Sequence, residues 1–181
     1  MRNIAHYPAK IYIDGPDAAG KSTLVNLYTD RYDCDFRHLD AQDPNDYEFH
    51  HKLISQPETK VFDRFMFSEI IYSTIYKRPC KLNMDELWTL WNQIMMSQSL
   101  YIILYTSDMS ILESRLRERG ELDYLEEIKQ QNDLFKYWGR MLNNWGYENF
   151  HLLDIADPEF NRKIDIIFAD FATWEDIKAS E

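Results

Sequence analysis

Lys10-Ile-Tyr-Ile-Asp14-Gly15-Pro-Asp-Ala-Ala-Gly20-Lys21-Ser22-Thr23 is the stretch that decides the fold. An apolar, β-branched run ends at an acid, and Gly15 to Ser22 then satisfies G-x-x-x-x-G-K-[ST]. A helical pattern follows from Lys21 to Tyr32. Strand, glycine loop and helix in that order form a phosphate-binding loop. The glycines let backbone N–H groups close around phosphate oxygens that a side chain would keep away, and the helix N-terminus adds partial positive charge. Lys21 is placed to bridge the β- and γ-phosphates of ATP, and Ser22 to ligate Mg²⁺, with Gly15, Ala18, Ala19, Gly20 and Thr23 completing the cradle. Asp17 is the unusual member. A carboxylate inside an anion-binding loop repels phosphate unless it points elsewhere, so it is expected either to face an acceptor or to stabilise the loop as an Asx turn.

Working outward, apolar runs alternate with helical patterns along the whole chain, which predicts βαβ units and a parallel sheet. Strands are expected at Lys10–Asp14, Asp35–Asp40, Thr59–Asp63, Leu100–Thr106 and Asn149–Leu153. Helices are expected at Lys21–Tyr32, Asp46–Ser55, Phe65–Tyr76, Met84–Gln98, Asp108–Arg119, Leu122–Asn144 and Pro158–Phe171. Asp157-Pro158 reads as an N-cap with proline in the first helical position, and Gly146 as the close of the preceding helix. Five parallel strands covered by helices make a three-layer α/β domain, and 181 residues suit one such domain. The residues from Trp174 onward are expected to fray.

Composition narrows the function classes. A net charge of −11 argues against diffuse binding to nucleic acid, whose phosphates are held by clustered Lys and Arg. No segment reaches the roughly 20 apolar residues of a membrane span, and MRNIAHYPAK lacks the apolar core of a signal peptide. Cys34 and Cys80 lack metal-ligand spacing, so reduced thiols in a cytoplasm are expected. His50-His51 read as surface residues. The 15% aromatic content is expected to fill a core.

Two further constellations carry chemistry. Lys60-Val-Phe-Asp63-Arg64-Phe65 ends a buried-type strand with opposite charges at its carboxyl end, where α/β sheets hold their ligands. Asp63 is a candidate to hold a metal-bound water or orient the attacking group, and Arg64 to clamp an acceptor phosphate bidentately; a plain ion pair is the alternative. Ser68, Glu69, Tyr72 and Tyr76 share one face of the helix that follows. Arg115, Arg117 and Arg119 precede Gly120-Glu-Leu-Asp123 in an otherwise acidic chain, and phosphoryl transfer needs such charge near the migrating group. Arg115 and Arg119 project together while Arg117 points away. The competing reading is a solvated helix face with Glu113–Arg117 and Arg115–Glu118 pairs.

In this order, the phosphate loop with an internal acid, Asp-Arg-aromatic, and Arg-x-Arg-x-Arg-Gly-Glu-Leu-Asp resemble the thymidylate kinases, the last segment most like bacterial members. The resemblance implies a P-loop kinase fold with an arginine-bearing lid over about 115–124, ATP and Mg²⁺ as cofactors, and a homodimer. It implies that Asp17 contacts the acceptor's 3′-hydroxyl and Arg64 grips its phosphate, with Phe65, Ser68 and Tyr72 in the Asp-Arg-Tyr-x-x-Ser-x-x-Ala-Tyr-Gln pattern. Arg115 matches a position that packs on adenine, leaving Arg117 and Arg119 as catalytic candidates. The chain departs from the family where His38-Leu-Asp40-Ala-Gln-Asp43-Pro44 replaces Arg-Glu-Pro-Gly, at Ser73 in place of glutamine, and at Tyr124 in place of arginine. These readings converge on an ATP-dependent kinase for dTMP or a related, modified pyrimidine deoxynucleotide. The alternatives are a deoxynucleoside kinase with Asp40 as base, a kinase for a hydroxymethylated base in DNA, and a non-catalytic nucleotide-binding protein.

Overall fold

The computed structural model describes residues 9–57 and 60–179. Five strands, β1 (Ile11–Asp14), β2 (Phe36–His38), β3 (Val61–Asp63), β4 (Leu100–Tyr105) and β5 (Phe150–Asp154), form one sheet in the order β2-β3-β1-β4-β5. All of its pairings are parallel. The helices are α1 (Lys21–Tyr32), α2 (Tyr47–Ser55), α3 (Met66–Ile75), α4 (Met84–Met96), α5 (Met109–Arg119), α6 (Leu125–Asn143) and α7 (Phe160–Ala179).

The central strands are buried and apolar up to the acids that end β1 and β3, because both faces of the sheet are covered. Side chains alternate across β1, so Ile11 and Ile13 join Leu24, Val25, Leu112 and Phe168 on one face. Tyr12 lies on the other. It stands in register with Phe62 on β3 and Tyr101 on β4, and its ring stacks on theirs at centroid distances of 5.3 and 5.5 Å. Phe65, Phe67 and Trp91 continue this layer, so the aromatic content does fill a core.

Several expected boundaries move. The third strand begins at Val61, and the expected start at Thr59 lies outside the described residues. The second strand is only Phe36–His38, its ends exposed at the edge of the sheet. The expected helix Leu122–Asn144 is split, with a short 3₁₀ turn at Leu122–Tyr124 preceding α6. The last helix starts at Phe160 rather than Pro158, because the Asp157 carboxylate accepts from the Glu159 N–H and the Asp157 carbonyl from the Phe160 N–H. It also runs on to Ala179, past the expected end at Phe171. Gly146, at φ 72°, closes the turn after α6 by donating to the Asn143 carbonyl.

His50 is the clearest correction, being fully buried rather than on the surface. Its Nδ1–H donates to the Asp46 carbonyl at 2.9 Å, and its ring meets Phe65 edge-on at 4.7 Å. Nε2 is buried without a partner. Burial therefore pushes its pKa down to about 4, and the bond to Asp46 does not offset this. Between about pH 4 and pH 6.5 the unfolded chain binds a proton that the folded chain refuses, so stability rises with pH across that window. Going from pH 7 to pH 5 should cost about 2 kcal/mol of stability through this group. His50→Phe, which keeps a ring on Phe65, should lose correspondingly less in urea unfolding at the two pH values; equal losses in both proteins would refute this account.

Candidate active site

The loop between β1 and α1 stands at the carboxyl end of the sheet, beside the ends of β3 and β4. Gly15 is required there: at φ 155°, an added Cβ would lie 2.9 Å from the Leu104 Cβ. Ala18 and Gly20 are also left-handed, at φ 63° and 95°. The Lys21 ammonium is buried and donates to the Gly15 and Pro16 carbonyls, both at 2.8 Å. Burial lowers its pKa, and the nearby Asp17, 3.8 Å away, partly restores it.

Asp17 turns out of the loop, as its charge predicts. Its Oδ1 accepts from Arg64 Nη2 at 2.6 Å and from the Tyr72 hydroxyl at 3.0 Å. Burial alone would raise its pKa, but Lys21 and Arg64 outweigh that and hold the carboxyl below its usual value. Arg64 occupies a tight turn at φ 70°, with its N–H on the Ile13 carbonyl at 2.9 Å. Its guanidinium lies 5.0 Å over the Tyr72 ring, and its Nε is buried without a partner.

Asp63 meets the loop from β3. Its Oδ2 accepts from the Ser22 hydroxyl at 2.8 Å and lies 3.0 Å from His38 Nδ1, while Oδ1 is buried and unpartnered. A hydroxyl beside an orphaned carboxylate oxygen fits a hard divalent cation, which takes oxygen ligands and completes its shell with phosphates and water. Among the described residues no cluster of three or more His, Cys, Asp or Glu could hold a metal, so such an ion would depend on substrate oxygens as well.

Two clefts flank the loop. One is lined by Asp17, Asp40, Arg64, Phe65, Ser68 and Tyr72, among others, and the expected α3 face with Glu69 and Tyr76 forms its wall. Asp40 is exposed there and its Oδ1 accepts from the Gln42 N–H at 2.7 Å. The other lies along Ala18, Ala19, Gly20, Thr23, Arg115 and Arg119. Arg115 donates to the Ala18 carbonyl at 2.8 Å rather than pairing with Glu118, which ties α5 to the phosphate loop. Arg119 also borders a third recess shared with Asp17, Arg64 and Gln131, so it stands between the two clefts. Arg117 lines none of these three recesses; it pairs with Glu113 at 2.8 Å on the exposed face, as helical spacing predicts.

Three participants were not singled out from sequence. Asp14 is fully buried, and its oxygens accept from the Phe65 N–H and from the Ser68 and Tyr101 hydroxyls, while burial raises its pKa. Gln131, from α6, accepts from the Asp17 N–H at 2.8 Å. His38 stands against Asp63. Of these only Asp14 had a signal, a strand-ending acid directly before the first glycine.

No helix among the described residues is long and apolar enough to cross a membrane. In comparison with known proteins, the chain resembles the YorR protein of Bacillus subtilis in complex with phosphorylated GDP, with a TM-score of 0.72 and 20% identity over 96% of this chain and 99% of that one. It also resembles a gluconokinase from Sinorhizobium meliloti 1021 (TM-score 0.57, 14% identity, 96% and 98% covered). A deoxyadenosine kinase from M. mycoides with the products dCMP and a flexible dCDP bound is similar to the same degree (0.57, 16% identity, 91% and 98% covered). At such identities these neighbours establish the fold alone. No curated protein sequence matches the chain. The model of the thymidylate kinase family, however, matches residues 37–166, well over half of the chain, taking in the Asp63-Arg64 turn, the α3 face and the α5–α6 segment. With the phosphate loop just upstream of that match, the chain is a phosphotransferase that belongs to the thymidylate kinase family.

Proposed function

We propose that this nucleotide kinase transfers the γ-phosphate of ATP to a deoxynucleoside monophosphate, dTMP or a related pyrimidine. The observation that carries the reading is Arg64. Its side chain is three-quarters buried in the acceptor cleft, stacked on Tyr72, with an unpartnered Nε and a terminal nitrogen held by Asp17. A planar cation fixed this way suits a phosphate dianion, which can accept two parallel N–H bonds.

The chain's residues then divide the work. Lys21, now resting on two loop carbonyls, exchanges them for β- and γ-phosphate oxygens. Ser22 and Asp63 would hold Mg²⁺, which when bound neutralises charge on the β- and γ-phosphates. Arg119 is the lid cation we assign to the migrating group; Arg117, committed to Glu113, is the weaker candidate. Arg115 and the Ala18–Thr23 segment border the nucleotide side. An acceptor phosphate is already ionised, so positioning and charge neutralisation supply the catalysis and no general base is needed. Asp17, freed from part of its pairing, would receive the 3′-hydroxyl.

A deoxynucleoside acceptor is the second reading, supported by the exposed Asp40 carboxylate on the same cleft, which could take a hydroxyl proton. The deoxyadenosine kinase neighbour is of that type by name.

Lys21→Ala should lower kcat by about 100-fold or more while circular dichroism stays unchanged, since a transition-state cation is lost. A rate near wild type would remove the phosphate-loop assignment. Arg64→Ala separates the acceptors: kcat/KM for monophosphates should fall by about 2 to 5 kcal/mol in transition-state terms, and that for nucleosides by much less. A wild type that phosphorylates thymidine far better than every monophosphate, with Arg64→Ala nearly silent, would overturn the monophosphate reading in favour of Asp40.

A further inference from the structure

Asp63 is held by few groups for a carboxylate so deeply buried. Its side chain is 3% exposed, yet the cations Lys21 and Arg64 both give their ion pairs to Asp17. Among the described residues, Asp63 receives two side-chain hydrogen bonds, from the Ser22 hydroxyl at 2.8 Å and from His38 Nδ1 at 3.0 Å, and both go to Oδ2. Oδ1 is left buried with no partner. A carboxylate only accepts, so Nδ1 carries the hydrogen whatever the charge on the ring.

Ser22 is assigned to the cation as a ligand, so its hydroxyl is not an independent support for Asp63. His38 is. It ends β2 as Asp63 ends β3, and the two residues are paired in the parallel register. Paired residues on neighbouring strands stand roughly 4.8 Å apart with their side chains on one face of the sheet. The backbone just beyond each is also fastened, the Leu39 N–H donating to the Asp63 carbonyl at 3.0 Å and the Arg64 N–H to the Ile13 carbonyl at 2.9 Å. The sheet itself therefore brings the imidazole to Asp63. The His38 side chain is 45% exposed, and a hydrogen bond from so open a partner adds little to stability. Orientation is what it determines. The last torsion of an aspartate is soft and two-fold, so a carboxylate held by one donor readily exchanges its oxygens.

We propose that His38 is a positioning residue for divalent-cation binding: its bond to Oδ2 fixes Asp63 so that Oδ1 is the oxygen left to the cation or to a water on it. The imidazole acts through Asp63 and is not itself a ligand, since its Nδ1 is engaged by the carboxylate. Carboxylates that bind metals depend on such outer hydrogen bonds, whose loss weakens metal binding by about 10- to 100-fold. The inference rests on the reading of Ser22 and Asp63 as holders of the cation, and goes beyond it in naming the group that keeps the carboxylate in place.

The test measures ADP affinity with and without Mg²⁺ by equilibrium binding, so that the ratio of the two dissociation constants reports the cation's contribution. Wild type is compared with His38→Leu, which removes the donor, with His38→Asn, whose Nδ2 can stand in for Nδ1, and with Asp63→Asn. In His38→Leu the enhancement by Mg²⁺ should fall by about tenfold or more, while ADP affinity without Mg²⁺ stays near wild type. His38→Asn should keep most of the enhancement, and Mn²⁺ bound with ADP to wild type should show no coordinated imidazole nitrogen in its electron spin-echo spectrum. An unchanged enhancement in His38→Leu, or an imidazole nitrogen on Mn²⁺, would overturn the proposal. So would an Asn variant that unfolds in urea like wild type yet is as impaired as the Leu variant. Asp63→Asn separates the two ways of failing. An enhancement that survives it removes the cation reading and this inference together, as does a wild type indifferent to Mg²⁺; one that it abolishes and His38→Leu spares removes only the role of His38.

Discussion

The site depends on one buried carboxyl. Asp14 ends β1 with no exposure, and its two oxygens gather three groups from two other elements: the Phe65 N–H that opens α3, the Ser68 hydroxyl one turn on, and the Tyr101 hydroxyl of β4. A polar group at that depth is tolerated only when its hydrogen bonds are made, so the position of α3 relative to β1 has little freedom. The phosphate loop leaves β1 immediately after Asp14, and the Arg64 turn enters α3 immediately before Phe65. Fixing Asp14 therefore fixes the glycine loop against α3. Stacking of Tyr12 between Phe62 and Tyr101 holds the three strands in register beneath it.

From that anchor the charges sort themselves. Asp17 lies between two cations from different elements, Lys21 of α1 at 3.8 Å and Arg64 after β3 at 2.6 Å. Each buried cation needs a counter-charge, and Asp17 supplies it to both, while the Gly15 and Pro16 carbonyls accept from Lys21. A loop acid that ought to repel phosphate thus keeps both clamps ordered. His38 does the corresponding service for Asp63 on the side of the loop nearest Ser22.

What was legible in the sequence follows from what kind of constraint each residue obeys. Gly15, Gly20, Lys21 and Ser22 answer to local backbone geometry, and Asp63-Arg64 to the end of an apolar strand, so pattern alone found them. Helical spacing correctly put Arg115 and Arg119 on one side and Arg117 with Glu113 on the other. It could not say that Arg115 would reach the Ala18 carbonyl, because that contact spans 97 residues. Gln131 was missed for the same reason, coming to Asp17 from 114 residues away. His50 was misread because two adjacent histidines near charged residues look solvated, whereas α2 turns the first of them onto Phe65.

The greatest departure from the family pattern lies in residues 38–44, and the acceptor cleft is where the structure absorbs it. A short, exposed edge strand gives way to a loop closed on itself by Asp43, which accepts from the Asp40 N–H at 3.0 Å and from Arg37 at 3.0 Å. Asn45 then seals the loop from inside, and Lys81 fastens it to the loop after α3. One wall of the cleft is consequently built from the connecting segments that carry Asp40, Asn45 and Arg78, whereas α3 supplies the other wall with Glu69, and the floor, Phe65 and Ser68, is tied to Asp14. The loop wall is held by its own hydrogen bonds and by Lys81, whereas the glycine loop and the floor are held by Asp14. The partners of Asp14, which are Phe65, Ser68 and Tyr101, all lie outside the loop wall, so changes in that wall leave the anchor of the glycine loop untouched.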